Sequence, residues 1–119
     1  MRVVRPRERH RVALVAYRYL SENLRKPITI AHLCEVTGAN ERTLQRGFIE
    51  TYGSTLKAQL TALRLERARR ELLQRSAGTT VTKTATNWGF FHLGRFATKY
   101  QQMFGETPSQ TLYGNGTPA

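Results

Sequence analysis

Two short groups of side chains in this sequence carry the chemistry to read nucleic-acid base edges. Arg42, Gln45 and Arg46 fall on the outward side of a helix, opposite the apolar Leu44 and Phe48. A guanidinium forks onto guanine O6 and N7, and a carboxamide onto adenine N6 and N7. Each such pair contributes roughly 1–3 kcal/mol of discrimination. The second group is His92, Leu93, Arg95, Thr98 and Lys99, with Gly94 adding little but backbone. No comparable set exists for catalysis. There is no Ser/His/Asp or Cys/His arrangement at workable positions, no cluster of carboxylates and no phosphate loop. His10, His32 and His92 are scattered and lack ligand spacing with Cys34, so no metal or cofactor is expected. Cys34 reads as a small core residue. The chain is expected not to be an enzyme.

Composition points to a polyanionic partner. Nineteen Lys and Arg among 119 residues face eight Asp and Glu, for a net charge of +11 and a pI near 10.9. Such a surface suits nucleic acid or an acidic membrane face, and charge alone does not choose between them. Hydrophobic residues at 39 % and charged residues at 23 % are the balance of a folded, soluble chain. No stretch is long and apolar enough to span a bilayer, and the basic residues of Met1 to Arg7 have no apolar core behind them. One cysteine leaves no internal disulfide and fits a reducing cytoplasm.

The elements that must position the two groups are helices throughout. Ala13, Tyr17, Leu20 and Leu24 form one stripe of a helix from about Glu8 to Asn23, with Pro27 at or beyond its end. Thr29 caps a short helix, Ile30 to Val36, closed at Gly38, and Asn40 caps a third from Glu41 to about Thr51. Thr55 caps a long helix to about Arg75, with Leu56, Leu60, Leu63, Leu65, Ala68 and Leu72 inward. After the loop at Ser76–Thr79, Thr80 caps Val81–Asn87, closed at Gly89. A sixth helix spans roughly Leu93 to Met103, with Phe96, Tyr100 and Phe104 in one stripe. Thr107-Pro108-Ser109-Gln110 opens a seventh. The expected fold is therefore all-α.

These elements occur twice. Thr29, Ile30, Cys34 and Gly38 match Thr80, Val81, Ala85 and Gly89 at an offset of 51. Leu44, Phe48, Tyr52, Gly53, Thr55 and Leu60 match Phe96, Tyr100, Phe104, Gly105, Thr107 and Leu112 at 52, the extra residue falling around Phe91-His92. A short helix, a Gly-containing turn and a longer Arg-bearing helix make a helix-turn-helix. Cys34 and Ala85 are expected where the two helices approach closely. The second helix of such a unit enters a major groove by its N-terminal turn. Twenty-one residues from Thr55 to Arg75 make a rod of about 31 Å, close to the ~34 Å turn of B-DNA.

Trp88-Gly89-Phe90, Phe96, Tyr100, Phe104-Gly105 and Thr107-Pro108-Ser109 resemble the signature of the AraC/XylS family of bacterial transcription regulators. Thr43-Leu44-Gln45-Arg46 with Phe48, and Leu63-Arg64-Leu65-Glu66-Arg67-Ala68, are similar to it as well. The resemblance covers about Glu8 to Tyr113. The stretch Gly89 to Phe96 is most similar to the subgroup that includes the ethanolamine-utilisation regulator. The resemblance implies seven helices, two tandem helix-turn-helix units joined by a long linker helix, and control of promoter transcription, usually activation by recruiting RNA polymerase. By position it points to Arg42, Gln45 and Arg46, and to Leu93, Gly94, Arg95 and Thr98, as base-facing. Many relatives carry Ser or Asp where His92 stands and a polar residue near Gly94, which implies weaker base reading by the second unit, with Arg95 and Lys99 on phosphate. Family members commonly carry a separate effector or dimerisation domain, expected to be missing from this chain.

The domain expectation is thus a basic linker or disordered arm at 1–7, a first helix-turn-helix subdomain at 8–54, a linker helix at 55–75, a second subdomain at 76–113 and a disordered tail at 114–119. The expected function is sequence-specific binding of double-stranded promoter DNA in a bacterial cytoplasm, at the nucleoid, with no membrane partner. Each residue has a plainer reading. Arg42 and Arg46 alone are as well explained as solvated helix residues, and Gln45 remains so inside the repeat. Arg95 is expected to contact DNA, at a base or a phosphate, rather than to be a plain surface residue. A non-specific basic nucleic-acid-binding protein is the alternative, against which the paired, capped units argue.

Overall fold

The computed structural model of the chain describes residues 5–114. Among the described residues there are seven helices and no strand: α1 (Pro6–Glu22), α2 (Ile30–Thr37), α3 (Glu41–Tyr52), α4 (Leu56–Gln74), α5 (Val81–Asn87), α6 (Leu93–Phe104) and α7 (Pro108–Tyr113). The chain divides into two compact units, Met1–Thr61 and Ala62–Ala119, the division falling inside α4.

Local chemistry explains most of the boundaries. Thr29, Asn40, Thr55, Thr80 and Thr107 each accept a hydrogen bond from the backbone N–H three residues on, at 2.8–3.1 Å. Each satisfies a donor that the first helical turn leaves without an intrahelical partner. At α7 the cap is reciprocal, because the Gln110 side chain accepts from the Thr107 N–H at 2.8 Å. The shorter helix of each repeat is followed by a left-handed glycine, Gly38 at φ 72° and Gly89 at φ 87°.

In the first unit α1 packs against α2 and α3. Its buried apolar residues are Val12, Ala13, Ala16 and Leu20 of α1, then Leu24, Leu33, Leu44, Phe48 and Leu56. Helix α3 lies close against α1 at Gly47, where an added Cβ would stand 2.5 Å from the Arg9 carbonyl oxygen. Tyr17 is half-buried and stacks on Tyr52, ring centroids 4.7 Å apart.

The second unit is built around Leu65, Ala68, Leu72, Ala85, Phe96, Tyr100 and Leu112, with Val81, Trp88, Phe90 and Phe104 packed against them. Tyr100 donates to Thr111 Oγ1 at 2.7 Å, and the Thr111 hydroxyl donates to Glu106 Oε2 at 2.6 Å. Arg75, past the end of α4 at φ 49°, donates from Nε to the Leu112 carbonyl at 3.0 Å and from its terminal nitrogen to that of Thr111 at 3.1 Å. The fork satisfies carbonyls at the end of α7 that the helix itself leaves open.

Three expectations need correction. Helix α1 begins at Pro6, two residues ahead of Glu8, because a ring-fixed φ and a missing N–H suit the first helical turn. Pro6 and Arg7 of the expected arm are therefore helical and Arg5 is the extended residue before them; residues 1–4 lie outside the described residues, as do 115–119 of the expected tail. Cys34 is only half-buried, and Leu33 and Thr37 are the buried residues of α2. In the second unit Ala85 is fully buried, together with Thr84. Leu60 and Leu63 of α4 are half-buried, whereas Leu56, Leu65, Ala68 and Leu72 are buried.

Candidate nucleic-acid interface

Helix α3 turns Thr43, Leu44, Gly47 and Phe48 inward. That fixes the outward face. Arg42 and Arg46 are exposed and Gln45 is half-buried beside them. Arg46 is not loose: its Nε donates to Glu50 Oε1 at 3.0 Å, one helical turn on. The same carboxylate accepts from Arg9 Nε at 2.9 Å, which ties α3 to α1. The Glu50 carboxyl lies below the ordinary carboxylate range, chiefly because Arg9 donates to it and further because Arg46 does. Neither Arg9 nor Glu50 was expected from spacing, because the contact joins residues 41 positions apart.

In the second unit α6 buries Phe96 and Tyr100, the counterparts of Leu44 and Phe48. Leu93, Gly94, Arg95, Thr98 and Lys99 are all exposed. Two details bear on what they can do. The Thr98 hydroxyl donates to the Gly94 carbonyl at 3.0 Å, so its proton is already committed and only its acceptor side is open. His92 occupies the cap position of α6 without making a side-chain cap bond, unlike Asn40 before α3. An imidazole is not among the residues that serve this role well.

The turns differ as the one-residue offset requires. Two residues separate Gly38 from α3, and three separate Gly89 from α6. The added length lets Phe90 pack inward on Phe96, centroids 4.9 Å apart, while Phe91 stands 77 % exposed. Gly89 serves two needs here. Its φ is positive, and an added Cβ would sit 3.3 Å from the guanidinium carbon of Arg64. Burial of that guanidinium pushes its pKa down from the usual arginine value. Among the described residues no group of three His, Cys, Asp or Glu could hold a metal ion, and no helix is long and apolar enough to cross a membrane.

Comparison with known proteins gives this geometry its context. Residues 33–113 match a helix-turn-helix domain family. The chain is 39 % identical over 102 residues to a probable thc operon regulatory protein of Rhodococcus erythropolis, covering 85 % of this chain and 31 % of that one. It is 38 % identical over 95 residues to the XylDLEGF operon transcriptional activator of Pseudomonas putida, covering 79 % of this chain and 30 % of the activator. The chain thus spans less than a third of the length of these curated relatives. Among solved structures it is similar to a probable AraC family transcriptional regulator from Rhodopseudomonas palustris, with TM-score 0.83, 36 % identity and coverage of 90 % of this chain and 98 % of that one. An AraC-type regulator from Chromobacterium violaceum shares the fold at 22 % identity, with TM-score 0.78 and coverage of 91 % and 95 %. The chain belongs to the AraC/XylS family of helix-turn-helix transcription regulators and carries that family's C-terminal DNA-binding domain, a module that is not an enzyme.

Proposed function

We propose that α3 and α6 are two recognition helices that read successive major grooves of one promoter, and that the domain thereby binds DNA sequence-specifically. The observation that carries this reading is the repeated unit itself. Each short helix and turn fixes a longer helix whose buried stripe leaves a cationic face outward: exposed Arg42 and Arg46 with half-buried Gln45 on α3, and exposed Leu93, Gly94, Arg95, Thr98 and Lys99 on α6. Base edges in the major groove suit the α3 set, and phosphates suit Arg95 and Lys99.

The relatives named as operon regulators and activators support a role at promoters with activation as the outcome, and RNA polymerase is the protein partner that we propose for it. On this reading effector sensing or dimerisation belongs to a separate domain of the whole regulator, and the protein works at the nucleoid of a bacterial cytoplasm.

The test is selection of bound duplexes from a random pool, followed by anisotropy titration of the selected and a scrambled duplex over a range of salt. Selected DNA should bind far more tightly than scrambled DNA, and both affinities should fall linearly in log–log with salt. Arg46→Ala should weaken selected binding roughly 10- to 100-fold and scrambled binding much less. Equal affinity for both duplexes, before and after the substitution, would leave a basic protein held by phosphates alone. Protection of two successive turns of DNA in a footprint checks the second recognition helix.

A further inference from the structure

We propose that Phe91 and Leu93 form an apolar reading surface for the 5-methyl group of thymine, with Arg95 and Lys99 on the adjoining phosphates. This inference rests on α6 being a recognition helix and specifies how it reads. Phe91 is 77 % exposed and Leu93 45 % exposed, at the turn and first residue of α6. A phenyl ring left in water at the tip of a turn forgoes the burial that its neighbour Phe90 obtains. Phe91, His92, Arg95 and Lys99 share the wall of one concavity of about 200 Å³ whose lining contains no carboxylate. An apolar surface edged by cations matches a thymine step, which offers a methyl group in the groove and phosphate beside it.

The hydrogen-bonding inventory of α6 agrees. Gly94 has no side chain, the proton of the Thr98 hydroxyl is committed to the Gly94 carbonyl, and His92 and Leu93 stand where α3 has Asn40 and Glu41. Reading by methyl contact needs no donor, so the second unit can be selective while α3 carries the polar contacts.

Replacing thymines of the selected duplex one at a time by deoxyuridine removes only the methyl. The domain should lose about fourfold in affinity at one or two thymines within the half-site of the second unit. Phe91→Ala and Leu93→Ala should lose cognate affinity and, with it, the sensitivity to deoxyuridine at those positions. Scrambled-duplex affinity should change little. Both side chains are exposed, and an unchanged helical circular dichroism spectrum shows the variants folded. A duplex indifferent to every deoxyuridine, with Arg46→Ala still eroding preference, overturns the methyl contact and leaves α3 reading intact. Absence of any cognate preference overturns both. A Phe91→Ala domain that keeps full DNA binding and deoxyuridine sensitivity but fails to activate transcription in the whole regulator would assign the surface to a protein partner instead.

Discussion

Arg46 Nε donates to Glu50 Oε1 at 3.0 Å while Arg9 Nε holds the other oxygen of that carboxylate at 2.9 Å. The guanidinium proposed to read a base is therefore held at rest from within its own unit, by an acid exposed enough to release it. Glu50→Gln removes the shared carboxylate and raises the net charge by one. Affinity for scrambled DNA should rise about two- to fivefold at low salt, with the log–log salt slope steeper by about one. The ratio of cognate to scrambled affinity should fall, because Arg46 is no longer held in one geometry. Titrations between 50 and 200 mM salt measure all three, and an unchanged slope would show that Glu50 does not restrain Arg46.

The same carboxylate gives a pH signature. It titrates below its ordinary value in the folded chain because Arg9, and then Arg46, donate to its ionised form. On acidification the unfolded chain takes up this proton first. The stabilisation is thus fully present above the ordinary carboxylate value and fades as pH falls through the lowered native one. The difference in urea midpoint between wild type and Glu50→Gln should be constant from about pH 7 to pH 5 and shrink below about pH 4.5. A difference that grows on acidification would contradict the assignment.

Two helical glycines predict opposite outcomes for the same substitution. At Gly47 a Cβ meets the Arg9 carbonyl at 2.5 Å, backbone against backbone, whereas at Gly94 nothing lies within 4 Å. Gly47→Ala should destabilise the first unit by about 1–3 kcal/mol as α3 is pushed off α1. Gly94→Ala should stabilise α6 by about 0.5–1 kcal/mol through helix propensity alone. If α6 enters the groove, that gain comes with weaker cognate binding. Urea unfolding and DNA titration of the two variants give both readouts, and unchanged cognate binding by Gly94→Ala would place Gly94 off the DNA face.

How much of this was legible beforehand depended on the range of the interaction. The caps at Thr29, Asn40, Thr55, Thr80 and Thr107 could be read directly, because each bond closes within three residues. So could the stripes Leu44–Phe48 and Phe96–Tyr100, all fully buried, and with them the exposed faces carrying Arg42, Arg46, Arg95 and Lys99. What escaped was set by contacts far apart in sequence or by backbone without a period. Gly47 resembles any mid-helix glycine until α1 is laid against it. Adjacent phenylalanines in a turn offer no periodicity to say that Phe90 goes in and Phe91 out. The commitment of the Thr98 hydroxyl to Gly94, and the left-handed Arg75 reaching α7, are likewise invisible in residue type alone.

The chain of hydroxyls in the second core makes the last prediction. Tyr100 is fully buried and donates to Thr111, itself 2 % exposed, which donates onward to Glu106. Burial pushes the Tyr100 phenol above its ordinary pKa, so the ring stays a neutral donor at physiological pH. Thr111→Val keeps the shape but removes the acceptor of the Tyr100 proton, leaving that buried hydroxyl with Arg69 as its remaining side-chain partner, at a cost of about 1–3 kcal/mol. Tyr100→Phe removes the donor and leaves the Thr111 bond to Glu106 in place, costing about 0.5–1.5 kcal/mol. With both changes the phenyl ring faces a methyl and no orphaned hydroxyl remains, so the double variant should lose less than the sum of the singles. Urea unfolding of the four proteins measures the coupling. Strictly additive losses would mean that Tyr100 and Thr111 do not depend on each other.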